Sequence, residues 1–167
     1  MRKPVFLILL LLLIKVNFTQ AQDEKFKALF IYNYAKGIEW PSSSGDFIIG
    51  VLGNSPIIDE LNIIAQQKKV GNQTIVIKKQ NSLDGAEKCN IFVLPPNKSE
   101  NLAGLLAKVK GKSTLIVTEK SGAIKNGSCI NFVLQNDKLN YEISKANIEN
   151  QGLKVAANLL SLGIKVN

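Results

Sequence analysis

The feature that most limits the fold is a series of short, unbroken apolar runs, each closed by turn residues. Phe47-Ile-Ile-Gly-Val-Leu52 ends at Gly53-Asn-Ser-Pro56, and Ile91-Phe-Val-Leu94 ends at Pro95-Pro96. Thr114–Thr118 and Ile130–Leu134 repeat the pattern, and Thr74–Ile77 is a weaker version of it. A strand with one wet face alternates apolar and polar residues. Runs without alternation belong to strands covered on both faces, the habit of parallel sheets. Between the runs lie stretches of helical period. Ile57, Leu61, Ile64 and Ala65 form one stripe behind Ser55-Pro56, with Asp59 and Glu60 in the first turn. Leu102, Leu105, Leu106 and Val109 form another between Ser99 and Gly111.

Strands that alternate with helices give right-handed crossovers and a largely parallel sheet. The end of the chain departs from that pattern. Leu139, Tyr141 and Ile143 alternate with polar residues, and Gln135-Asn-Asp-Lys138 separates them from Ile130–Leu134, which reads as an antiparallel hairpin. A closing helix is expected over Gly152–Leu162, and an opening one over Asp23–Trp40, where Phe26, Leu29, Phe30, Tyr34 and Ile38 recur and Pro41 ends the run. The expected class is therefore an α/β sandwich. Its mixed, mostly parallel sheet has five to six strands, with helices packed on it and a C-terminal antiparallel hairpin plus helix.

The N-terminus reads as a secretory signal peptide. Arg2 and Lys3 precede the ten apolar residues Val5–Ile14, and a polar stretch then ends at Ala21. Ten residues are too few to cross the bilayer as a helix, which takes about 20. Residues 1–21 are expected to be removed, leaving 22–167 as a single exported domain. The whole chain has a net charge of +8; Arg2, Lys3 and Lys15 leave with the leader, so the remainder stands at +5 with no arginine. Exported lysines spread over several pairs describe solvated faces. They do not describe a nucleic-acid surface, which favours the arginine fork.

Catalytic chemistry finds little to use. There is no histidine, which excludes Ser-His-Asp and Cys-His pairs and imidazole metal sites, and two cysteines cannot build a thiolate zinc site. The Gly53–Pro56 turn lacks the spacing of a phosphate loop, and Asp59 and Glu60 oppose an anion at the helix it opens. Asp23–Glu24 and Asp59–Glu60 are sequence neighbours on helices and do not converge. Glu119 follows a buried strand without a visible partner. No catalytic residue, cofactor or metal is expected.

Cys89 and Cys129 each enter a similar strand. A bridge between them is feasible if those strands are sheet neighbours. It is not feasible if Thr114–Thr118 lies between them. The segment Gly152–Leu162 is apolar on nearly every side, which fits either deep burial or contact with another chain. With the hairpin before it, this segment makes Phe132, Tyr141, Leu153 and Val155 the expected partner-binding residues. The aromatics of Tyr32–Trp40 read instead as core.

Several segments together resemble the YfiR family of exported bacterial regulators. They are Lys27-Ala-Leu-Phe-Ile-Tyr-Asn-Tyr-Ala-Lys-Gly-Ile-Glu-Trp-Pro41, Ile49-Gly-Val-Leu-Gly53, Cys89–Leu94, Thr114–Glu119, Tyr141–Ser144 and Gly152–Leu162, in collinear order. The resemblance implies a non-enzymatic periplasmic repressor, a homodimer. Its partner would be the periplasmic sensor domain of an inner-membrane diguanylate cyclase, and repression would lower cyclic-di-GMP and biofilm output. An outer-membrane lipoprotein or a change in disulfides would bring release. Better-known relatives carry two internal disulfides; here Cys89 matches a family cysteine whose usual partner is not evident. The alternative readings are an adaptor for a sensor kinase, or a small-molecule binder using a cleft near Gly53 and Glu119.

Overall fold

The computed structural model describes residues 21–166, and the leader assigned to residues 1–21 lies, but for Ala21, outside them. Residues 21–37 are helical (α1). There follow β1 (Ile38–Glu39), β2 (Phe47–Leu52), α2 (Ile57–Gln67), β3 (Lys69–Val70), β4 (Gln73–Gln80) and β5 (Ile91–Leu94). The second half comprises α3 (Leu102–Val109), β6 (Leu115–Thr118), β7 (Ile130–Gln135), β8 (Lys138–Ile143), α4 (Lys145–Asn150), β9 (Lys154–Val155), α5 (Ala157–Leu162) and β10 (Ile164–Lys165).

Eight strands form one sheet in the order β10-β8-β7-β6-β5-β2-β4-β3. Strands β4, β2, β5, β6 and β7 are mutually parallel, and β7 and β8 form the antiparallel hairpin. The α/β class, the mostly parallel sheet and the terminal hairpin are as expected. The strand count exceeds five to six because the two-residue strands β3 and β10 join the edges. Pieces so short carry no periodicity that a sequence could display.

Counted in chain order, the five parallel strands lie 2-1-3-4-5 across the sheet, a doubly wound order. The chain turns one way from β2 to β4 and the other way from β2 to β5 and onward. With right-handed crossovers this reversal puts α2 and α3 on opposite faces. The first face carries Phe47, Ile49, Ile91, Val93, Leu115, Val117, Ile130, Phe132, Tyr141 and Ile143, joined by cross-strand register and all buried. α1 lies on that face. Phe30 and Tyr34 pack on Phe132 and Tyr141 with ring centroids 5.1–6.2 Å apart, and Trp40 meets Phe47 edge-on at 5.0 Å. On the opposite face Cys89 and Phe92 close over Gly50, where a Cβ would come within 2.8 Å of the Cys89 sulfur.

The closing helix expected over Gly152–Leu162 is not continuous. Gly152 turns the chain after α4 at a φ of 73°, Leu153 enters the core, and Lys154–Val155 pair as a strand with Ile38–Glu39. The Ala156 amide donates to the Gly37 carbonyl at 2.9 Å, so the backbone is committed to the end of α1 and not to its own helix. Only Ala157–Leu162 is helical. Two expected caps are also absent: neither Ser55 nor Ser99 caps a helix through its side chain. Ser144 does, accepting from the Asn147 amide at the start of the unforeseen α4.

The hairpin turn places Asn136 and Asp137 at φ 52° and 58°, the two positive values of a two-residue type I′ loop. Asp137→Val should lower stability by about 1–2 kcal/mol, because a β-branched side chain is poorly tolerated in the left-handed region. Asp137→Gly should hold stability or raise it. Urea unfolding midpoints measure both, and a tolerated valine would show that the loop is not type I′.

Candidate functional site

The carboxyl ends of the parallel strands gather the most unusual charges of the molecule. Val117 faces α1 and Thr118 faces away, so Glu119, the next residue, points back towards the helix by alternation. There the Lys27 ammonium donates to Glu119 Oε2 at 2.6 Å and to Glu24 Oε1 at 2.8 Å. Side-chain exposure is only 13% for Lys27, 10% for Glu24 and 9% for Glu119, so these are not surface pairs. The three carry a net charge of −1, and Glu24 Oε2 is buried without a hydrogen-bond partner.

Burial is the largest influence on the titration of the cluster, and the neighbouring charges modify it. Burial pushes the Glu119 carboxyl up, the Lys27 hydrogen bond and charge oppose this, and the Glu24 charge adds to it; the result lies above the ordinary value of 4.5. For Lys27, burial works downward, but the hydrogen bonds and charges of Glu119 and Glu24 outweigh it, leaving the ammonium above 10.5. Lysine and both acids come from sequence positions that gave Glu119 no partner and Glu24 no convergent group. The overlooked signal is position: Glu24 shares one helical stripe with Ala28, Ile31 and Ala35, all buried.

Two clefts meet at this cluster. One, of about 300 Å³, is walled by Asp23, Glu24, Lys27 and Glu119 and by the turns after β2 and β5, including Asn54, Ser55, Pro56 and Pro95–Asn97. This is where the strand order reverses, the usual ligand position of a doubly wound sheet. The other, of about 430 Å³, shares Asp23, Lys27 and Glu119 and is completed by Ser121, Phe132, Val133, Leu134 and Leu139.

A polar row crosses the far face of the sheet. Thr118 donates to Asn131 Oδ1 or Ser128 Oγ, each at 2.8 Å, and Asn131 donates to Glu142 at 2.9 Å. These groups occupy matching positions on β6, β7 and β8 and satisfy one another, as buried polar groups must. They present nothing to a substrate.

The four residues assigned to partner binding are not one exposed patch. Phe132, Tyr141 and Leu153 are 5%, 2% and 1% exposed, and only Val155 reaches solvent in part. The cause is α1, whose Phe30 and Tyr34 occupy the face that the hairpin would otherwise show. The Tyr141 hydroxyl donates to the Leu159 carbonyl, which ties the hairpin to α5. Large apolar side chains are exposed nearby instead. Leu134 is 69% exposed and Phe26 45%. Leu134 and Leu139 lie one rung beyond Phe132 and Tyr141 on the same face, and Phe26 lies one turn before Phe30.

The cysteines do not bridge. Both are free and buried, and β6 lies between the strands they enter. By register Cys89 stands opposite Ser113 and Cys129 opposite Ile116. Two strand spacings already separate the Cα atoms by about 10 Å, against a limit near 7 Å for a disulfide. Burial pushes the Cys129 thiol up to about 12, and it also raises that of Cys89, so neither is an activated thiolate.

Among the described residues no group of three or more His, Cys, Asp or Glu could hold a metal ion, and no helix is long and apolar enough to cross a membrane. The fold and site define a doubly wound α/β domain whose clefts lie around a buried ion cluster. The chain belongs to the YfiR/HmsC-like family, whose model matches residues 24–164. That family is regulatory and periplasmic, and it acts through contacts with membrane proteins. No curated protein matches the chain.

Lys27→Met strands two buried carboxylates and should cost about 3–5 kcal/mol in urea unfolding, with part of the loss recovered in Lys27→Met/Glu119→Gln. A loss below about 1 kcal/mol would mean that the cluster behaves as an exposed pair. The pH dependence separates its members. Glu119 binds its proton more tightly folded than unfolded, so its contribution to stability is full below 4.5 and is lost as pH rises through the raised folded value. The Lys27 contribution is full below 10.5 and is lost as pH rises through its own raised value. Glu119→Gln should therefore flatten the acid side of the stability profile; profiles of wild type and variant that run parallel there contradict the assignment.

Proposed function

We propose that this chain is an exported, non-enzymatic regulator. It binds the periplasmic sensor domain of an inner-membrane, diguanylate cyclase-like signalling protein, holds that protein inactive, and so keeps cyclic-di-GMP and biofilm output low. Membership of the YfiR/HmsC-like family over residues 24–164 is the observation that carries this reading. The basic, then apolar, start of the chain supports export, with cleavage after Ala21 and one domain over 22–167. A homodimer and an outer-membrane lipoprotein as the releasing partner belong to the same proposal.

Repression of this kind requires only differential affinity for one state of the target. The contact surface in this reading is the apolar rim beyond the core, the exposed Leu134 and Phe26 with the half-buried Leu139, while Val155 lies at the opposite end of α1 beside Ile38. Phe132, Tyr141 and Leu153 serve beneath it, by holding the hairpin, α1 and β9 in place.

Leu134→Asp tests this surface because the side chain is already in solvent, so stability should change by no more than about 0.5 kcal/mol. The variant should fail to co-purify with the periplasmic domain of the cyclase encoded in the same cell, and cyclic-di-GMP in cells expressing it should rise to the level of cells lacking the regulator. Retained capture and unchanged cyclic-di-GMP would remove Leu134 from the interface. Failure of wild type to capture any such domain or to lower cyclic-di-GMP would remove the function itself.

A further inference from the structure

A strand at the edge of a sheet turns half of its backbone groups away from the ladder, and these must be paired or shielded. β4 is such a strand over most of its length. Its inner side pairs with β2, and the Gly53 amide donates to the Gln80 carbonyl at 2.7 Å. Val76, Lys78 and Gln80 therefore direct their amides and carbonyls towards β2, and Ile75, Ile77 and Lys79 direct theirs outward. On that outer side β3 covers only Gln73 and Thr74. Neither the Ile77 nor the Lys79 amide has a hydrogen-bond partner among the described residues. The opposite edge of the sheet is closed. There β10 pairs with Glu142 and Ile143 of β8, and the Asn140 side chain accepts from the Tyr141 amide at 2.8 Å.

The side chains around the open edge select what can add to it. Residues 68–80 include Lys68, Lys69, Lys78 and Lys79 and no acid. All four lysines are exposed, and none is in an ion pair among the described residues. Asp59 and Glu60 of α2 and Glu87 before Cys89 are the acids of the neighbouring elements, and they leave the balance positive. Two copies joined edge to edge would bring these lysines together, so like charge opposes a β4–β4 dimer. An acidic strand meets the same lysines favourably. Apolar support is also present. Ile63, one turn beyond Asp59 on α2, is 48% exposed, and a recess of about 460 Å³ beside Lys79 is walled by Pro56, Ile58 and Asp59. In strand addition the backbone supplies affinity, and such recesses receive alternate side chains.

We propose that the outer edge of β4, from Ile75 to Gln80, is a docking site for an extended acidic segment of another protein, which joins the sheet as a further strand. The site is at the other end of the sheet from the hairpin and does not depend on the contact at Leu134.

The test uses the exported protein, isotope-labelled, with a seven-residue capped peptide that alternates glutamate with valine and threonine. The Ile77 and Lys79 amides should exchange rapidly with solvent in the free protein and slowly with peptide bound, while Val76 and Lys78 are protected in both. Binding should saturate below about 1 mM and weaken as salt rises. The same peptide with lysine for glutamate should not bind, and neither should the acidic peptide N-methylated at its three central residues, which cannot join a ladder. Lys78→Glu/Lys79→Glu should weaken binding at least about tenfold. Amide exchange on the wild type decides the matter if that variant fails to fold. Four results would overturn the proposal: no saturable binding, equal binding of the N-methylated peptide, slow exchange of Ile77 and Lys79 without peptide, or protection that grows with protein concentration alone, which would assign the edge to a second copy.

Discussion

The docking of α1 on the sheet is the contact on which the rest of the molecule depends. A parallel sheet must be covered on both faces, and the crossover helices α2 and α3 are shared between two faces of an eight-stranded sheet. Without α1, the hairpin half of the first face would leave Phe132 and Tyr141 bare. The helix covers them with Phe30 and Tyr34, in tilted and edge-on pairs each worth about 0.5–1.5 kcal/mol beyond simple area burial. At its N-terminal end Lys27 fixes the helix to Glu119 across 92 positions of sequence, and at its other end Ile38–Glu39 pair with Lys154–Val155. The helix is thus held by aromatic packing in the middle, by charge at one end and by backbone hydrogen bonds at the other.

This arrangement explains why most of the apolar segment Gly152–Leu162 is not free, although Leu162 at its end is 73% exposed. Gly152–Leu162 spends its hydrophobicity on three separate tasks. Leu153 fills the core, Lys154–Val155 extend beside β1, and Leu159 packs against Gly37, where even one extra carbon would collide. One apolar surface left uncovered is where α1 and the hairpin both run past the sheet. Beyond Phe132 and Tyr141 the same two elements carry Phe26, Leu134 and Leu139 without a further layer to cover them.

How much of this could be read from sequence follows from how each element is stabilised. Phe47–Leu52 and Ile91–Leu94 were legible to the residue, because strands buried on both faces must be apolar at every position. The hairpin was legible because its turn residues and its alternation agree. The broken C-terminal helix was not, since a helical wheel assumes that successive residues share one neighbour, and here Leu153 and Leu159 face different ones. The burial of Phe132 and Tyr141 was hidden for a related reason. Phe132 and Tyr141 look available until α1, more than ninety residues earlier, is laid over them. Glu119 gave a half-signal, as a carboxylate at a strand's carboxyl end, but its partner lies on α1 and no local pattern links them.

The ion cluster joins the two clefts physically, because Asp23, Lys27 and Glu119 wall both of them. Any group that draws Lys27 or Glu119 towards one cleft alters the other, which contains Leu134 and Leu139 on its far side. Coupling between two sites is a free energy and must be reciprocal. Such coupling needs no large motion here. The separation between the clefts is a single layer of charged side chains, and the helix that carries Lys27 also carries Phe26. Lys27 and Glu119 thus stand at once beside the turns after β2 and β5 and beside the apolar side chains of the hairpin, because they wall both clefts.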